Sequence, residues 1–159
     1  MTFDWSNLVE RLTTQSAVLH RFQPPCSLDT IRDVQQQLGA LPHVLKDMLT
    51  RFNGALLFDT GLPMITLFRA SKQPPLRVLE WAPDWCIDVM TPKWRAGGAT
   101  RKEDWAFGMT SYGGLLILDG RGRVKEWDTA EGAWLIKSMA FDKWIAKILK
   151  EGKELIEEE

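Results

Sequence analysis

The chain has 159 residues, 45% of them apolar and 26% charged, which is ordinary usage for one globular domain with a proper core. A net charge of −1 argues against a general nucleic-acid binder, which needs a basic surface to neutralise phosphates, and equally against a strongly acidic mimic of nucleic acid. Eight tryptophans are the one oddity, each bringing a large apolar area and one N–H that needs a partner.

Asp4 is placed to cap a first helix, whose inward face is Trp5, Leu8, Val9 and Leu12, continued by Leu19. Pro24-Pro25 ends it by about Phe22. Ser27 caps a second helix that runs to Leu38, with Leu28, Ile31 and Leu38 inward and Gly39 as its stop. Leu41-Pro42 opens a third, with Leu45, Met48, Leu49 and Phe52 as its buried stripe and Asn53-Gly54 as its terminator. Strands follow at Ala55 to Phe58 and Met64 to Phe68, separated by an Asp59-Thr60-Gly61 turn. Ser71 to Pro75 reads as a loop.

Leu76 to Gly98 has no clear periodicity. Pro83 is placed to start a helix through Asp84-Trp85-Cys86-Ile87, which Pro92 would end. Trp81, Trp85 and Trp94 fall in this stretch. From Pro92 to Lys102 there is no acid, while Lys93, Arg95, Arg101 and Lys102 are basic.

The frame of the chain is Trp105 to Asp128. Trp105 to Met109 reads as a strand, Tyr112-Gly113-Gly114 as a turn, and Leu115 to Leu118 as a strand covered on both faces. Asp119-Gly120-Arg121-Gly122 reverses the chain, and Arg123 to Trp127 returns. Val124 and Trp127 have opposite parity, which a bulge or a partly covered second face accounts for. Trp134 to Lys137 is a further short strand. Ser138 is placed to cap the last helix, whose face is Phe141, Trp144, Ile145, Ile148, Leu149, Leu155 and Ile156. Glu157-Glu158-Glu159 sets acids against the helix dipole, so residues 151–159 form an acidic helix end or tail after a domain of residues 1–150. Helices, then an antiparallel meander, then a closing helix make an α+β single domain with a twisted, mainly antiparallel sheet of about four to six strands.

Three pieces together resemble the SUKH superfamily, which includes a yeast cell-wall-assembly regulator and many bacterial toxin-immunity proteins. The first is the helix between Leu41-Pro42 and Asn53-Gly54. The second is Trp105-Ala106-Phe107-Gly108 leading to Gly113-Gly114-Leu115-Leu116-Ile117-Leu118-Asp119. The third is Gly122-Arg123-Val124 to Trp127-Asp128, then Ser138 to Trp144. The resemblance spans about Ile31 to Leu149 and implies a mixed α/β domain with a twisted sheet flanked by helices. It implies a protein binder rather than an enzyme, since the family's members bind other proteins and in bacteria many neutralise a toxin by binding its catalytic domain. A regulatory or scaffold module with a house-keeping partner is the alternative.

The residues themselves offer little catalytic chemistry. His20, His43, Cys26 and Cys86 have no zinc spacing and no local nucleophile signature. The two cysteines are expected as free, largely buried thiols rather than a disulfide. Asp119 and Asp128 read as turn aspartates. A small hydrolase or transferase would need a site centred on Cys86 or a histidine. No cofactor or metal is expected. No apolar run reaches the roughly 18 residues of a membrane span, and no signal peptide is visible, so the expected compartment is the cytoplasm.

Trp105, Trp127, Trp134 and Trp144 are expected in the core. The expected partner surface is Phe58, Asp59, Trp85, Trp94, Arg95 and Tyr112, drawn from strand ends, a turn and the segment that matches the family least. Loops vary without disturbing a frame, and tryptophan and arginine are favoured anchors.

Overall fold

The computed structural model describes residues 3–16, 20–72 and 84–157. In chain order these form α1 (Trp5–Ser16), β1 (Arg21–Phe22), α2 (Leu28–Leu38), α3 (His43–Arg51), β2 (Ala55–Asp59), β3 (Pro63–Leu67), α4 (Ile87–Arg95), a 3-10 turn (Ala99–Arg101), β4 (Trp105–Thr110), β5 (Gly114–Leu118), β6 (Val124–Asp128), β7 (Ala133–Met139) and α5 (Phe141–Glu157). Leu19 and the first part of the Leu76 to Gly98 stretch, residues 76–83 with Trp81 and Pro83, lie outside the described residues. Among those described, no helix is long and apolar enough to cross a membrane.

The α+β architecture is as expected, but among the described residues the sheet has seven strands rather than four to six. The extra strand is β1. Pro24-Pro25 pushes the chain before it toward extended geometry, and Arg21 and Phe22 pair with Leu56 and Ala55 instead of prolonging the first helix. All seven strands are antiparallel and lie in chain order from β1 to β7.

Directly opposed residues share a face of a sheet, so the register defines two rows. One row is Phe22, Ala55, Leu67, Gly108, Leu116, Glu126 and Ile136. It lies under the helices: Phe22 meets Phe52 edge-on, and Phe52 meets Trp5 of α1. Phe107, at the β4 bulge, packs on Trp144 of α5. The other row is Arg21, Leu56, Thr66, Met109, Leu115, Trp127 and Trp134, crossing every strand on the opposite face. α4 covers only one end of that second row, where Trp94 meets Trp127 and Trp134. Val124 and Trp127 thus face opposite covered sides, and the β6–β7 register also shifts twice. β5 is buried throughout, as a strand covered on both faces must be.

The caps follow local chemistry. Asp4 Oδ1 accepts the Asn7 N–H (3.1 Å) and Ser27 Oγ accepts the Thr30 N–H (3.2 Å). Leu28 is 73% exposed, not inward: as the first residue of α2 it precedes the stripe that Ile31 and Val34 set. Ser138 does not cap α5, because β7 runs through it to Met139; its hydroxyl accepts instead from Arg123 Nε. Pro92 does not end α4 but sits inside it. The ring is on the exposed side, so the Asp88 carbonyl left without its usual donor is on the side nearest solvent. Cys86 leads into α4 and bridges to Arg69, and Thr91 Oγ1 takes the Ala106 N–H (3.0 Å), closing β4 where β3 has left it. Trp105 and Trp144 are buried as expected; Trp127 is only half-buried, and Trp134 is 36% exposed because β7 is an edge strand.

Candidate functional site

The uncovered end of the second row is a groove of about 590 Å³. Its floor is Arg21, Leu56, Thr66 and Met109, one residue from each of four neighbouring strands. The β2–β3 hairpin adds Asp59, Leu62 and Pro63; the end of β4 adds Thr110 and Ser111; Trp85 closes the side nearest α4. Leu56, Met109, Leu62 and Trp85 give it apolar contact area. Thr66 and Ser111 supply hydroxyls, while the Thr110 hydroxyl is turned to the other face, where it accepts the Gly114 N–H (2.8 Å); Arg21 and Asp59 carry opposite charges. Apolar walls with a few oriented polar groups are what a side chain of a protein partner needs for a specific fit.

The structure separates the six residues expected at the partner surface. Asp59 and Trp85 line the groove together. Phe58 is 3% exposed, with its ring edge-on to His20 and against Gly152 of α5, so it presents no surface. Trp94 is 5% exposed and its Nε1–H donates to Asp104 Oδ2 (2.9 Å). Arg95 is half-buried, donating to the carbonyls of Asp104 (2.9 Å) and Leu38 (2.8 Å) and lying over Trp105. Phe58, Trp94 and Arg95 therefore hold the fold. Tyr112 is exposed, but its hydroxyl reaches Glu126, which lies on the helix-covered face, away from the groove. Sequence reasoning missed Arg21, Leu56, Thr66, Met109, Thr110 and Ser111. Only strand register brings them together, and no local motif announces it.

Of the two histidines and two cysteines, His43 is exposed at the start of α3 and the other three are buried. His20 Nδ1 accepts the Phe58 N–H (3.2 Å), and burial lowers the imidazole pKa, favouring the neutral ring. Cys26 and Cys86 are buried and form no disulfide. Burial pushes the Cys26 thiol up to about 11 and also raises Cys86, against the opposing pull of Arg69. Both thiols are thus held away from the thiolate form that does nucleophilic chemistry. Asp119 Oδ1 accepts from the Arg121 and Arg123 N–H groups, and Asp128 Oδ1 from those of Ala130 and Glu131, which makes both turn aspartates.

Glu126 is a carboxyl set deep under the helices. It is 2% exposed, its Oε2 has no hydrogen-bond partner, and it occupies the space a Cβ would fill at Gly114. Burial raises its pKa; Glu151 and Asp128 add to this, while Lys147 and the Tyr112 hydroxyl work against it. The folded state therefore holds its proton more tightly than the unfolded chain. Stability is fully present below the unfolded pKa of about 4.3 and is lost as pH rises through the folded value. Glu126→Gln is expected to raise stability at pH 7 and to gain less at pH 4, read as urea midpoints at the two pH values. An equal gain at both would remove the titration from this account.

No protein-family model matches the chain, and a comparison with curated proteins gives no match.

Proposed function

We propose that this chain is a non-catalytic protein-binding domain, and specifically an immunity protein that works in the cytoplasm and neutralises a bacterial toxin by covering its active site or substrate channel. The observation that carries the reading is the groove on the open sheet face, built from four strands and flanked by Trp85. A rigid, pre-formed surface loses little conformational entropy on binding. The burial of both thiols and of His20 adds support, since it sets the natural nucleophile candidates against catalysis. The SUKH-like order of elements supplies the class of partner.

Co-expression with the toxin domain encoded beside the gene should restore growth and give a co-purifying complex. A chain that neither binds nor protects would end the immunity reading. Isolation of several unrelated host proteins in place of one tight toxin would favour the regulatory or scaffold alternative. Trp85→Ala should weaken binding by about 2 kcal/mol or more, as anchors do. Its melting temperature should stay close to that of the parent. Calorimetric binding beside a thermal melt checks both; a large loss of melting temperature with unchanged affinity would move Trp85 into the frame.

A further inference from the structure

At the other end of the same sheet face, three tryptophans meet edge to face. Their ring centroids are 5.7 Å apart for Trp94 and Trp127, 5.7 Å for Trp94 and Trp134, and 4.8 Å for Trp127 and Trp134. Arg101, from the 3-10 turn, lies on this cluster. Its Cζ is 3.7 Å from the Trp94 ring centroid and 5.4 Å from that of Trp127.

The neighbouring cations are already engaged. Lys125 Nζ bonds Asp104 Oδ2 (2.9 Å), and Arg95 is held by two carbonyls. Arg101 differs: among the described residues no carboxylate is within ion-pair distance of it. A guanidinium lying on a ring uses its flat face there and leaves its in-plane N–H fork for another acceptor. Gly97 leaves the room for this seat. A Cβ there would fall 2.1 Å from Arg101 Nη1 and 3.0 Å from Cζ. Lys93 and Lys102 are exposed and no acid falls from Pro92 to Lys102; of the two acids that follow, Glu103 is exposed and Asp104 is held by Trp94 and Lys125. Trp134 of the same cluster is partly exposed.

We infer that Arg101, seated on Trp94 and Trp127, is an anchor for a surface carboxylate of a protein partner, with Trp134 as the apolar contact beside it. The inference rests on the protein-binding reading and gives that reading a second contact point. Seven strands about 4.8 Å apart span roughly 29 Å between the two ends of the row. A standard interface of about 800 Å² per side is of similar width, so one partner reaches both the groove and Arg101. Nucleic-acid phosphate is the less favoured acceptor, because it needs many cations spread over the surface of a chain whose net charge is −1.

Two titrations test it. In the first, the toxin domain is titrated into the parent, Arg101→Ala, Arg101→Lys and Gly97→Ala. In the second, tryptophan fluorescence follows an acetylated Asp-Glu-Asp-Leu peptide, its Asn-Gln-Asn-Leu counterpart and a single-stranded 20-mer DNA. Arg101→Ala should weaken binding to the toxin domain and to the acidic peptide at least tenfold, and Arg101→Lys less. Gly97→Ala keeps the charge but removes the seat, so a several-fold loss with an unchanged melt separates a seated fork from a bare charge. The neutral peptide should not bind. Equal affinities of the parent and Arg101→Ala for the acidic peptide, or tighter binding of the DNA, would overturn the inference. If Arg101→Ala and the parent bind the toxin domain equally, the function stands and this anchor falls. If only the acidic peptide binds, in an Arg101-dependent way, the anchor stands and the immunity reading falls.

Discussion

Trp5→Ala is expected to lower the unfolding free energy by about 3–5 kcal/mol, the range for removing a large buried aromatic. Trp5 is fully buried, and its ring meets Phe52 at 5.5 Å and Phe141 at 5.4 Å, both edge-on. Its Nε1–H donates to the Val44 carbonyl (2.9 Å). One side chain therefore ties α1 to α3 and α5. Urea unfolding followed by circular dichroism measures the loss. Trp5→Phe keeps much of the ring volume and should cost less. A loss below about 1 kcal/mol for Trp5→Ala would mean that α1 is not integral to the core.

Gly54→Ala should be nearly as damaging, for a different reason. Gly54 has φ 93°, and a Cβ there would meet the Leu67 carbonyl oxygen at 2.9 Å and the Arg69 nitrogen at 3.0 Å. Both are backbone atoms of the chain at and just beyond β3, so neither can swing aside. The backbone conformation costs about 1–2 kcal/mol and the crowding about 1–3 more. Gly39 is the control: it has φ 102°, with nothing within 4 Å of the added carbon. Gly39→Ala should show the conformational cost alone. Equal melts for the two variants would remove the steric part of the argument.

Much of the frame was legible because helical and strand periodicities are local. Leu45, Met48, Leu49 and Phe52 announce a buried stripe whatever they pack against, and all four are buried. Asn53-Gly54 could be read as a terminator, though its wider role could not. Asn53 Oδ1 accepts the Ala70 N–H (2.8 Å) and the Gly54 carbonyl accepts the Gln23 N–H (3.0 Å), joining three segments far apart in the chain. What failed was whatever depends on neighbours. Two residues after a helix cannot be seen as a strand until β2 lies beside them. Trp134 reads as core from its spacing, but its strand is last in the sheet and has a neighbour on one side only. The groove was invisible for the same reason: Arg21, Leu56, Thr66 and Met109 are consecutive only across the sheet.

The chain-order pairing of the strands also sets how the sheet can assemble. Four of its six pairings close over tight turns: β2 to β3, β4 to β5, β5 to β6 and β6 to β7. Short closures carry little loop entropy, so these hairpins can zip in succession. The other two are slower by nature. β1 is separated from β2 by α2 and α3, and β3 from β4 by the whole excursion through α4, so each must close a long stretch of chain. The run from Trp105 to Met139 can therefore act as the nucleus, with the β3–β4 closure as the late step that joins the two halves.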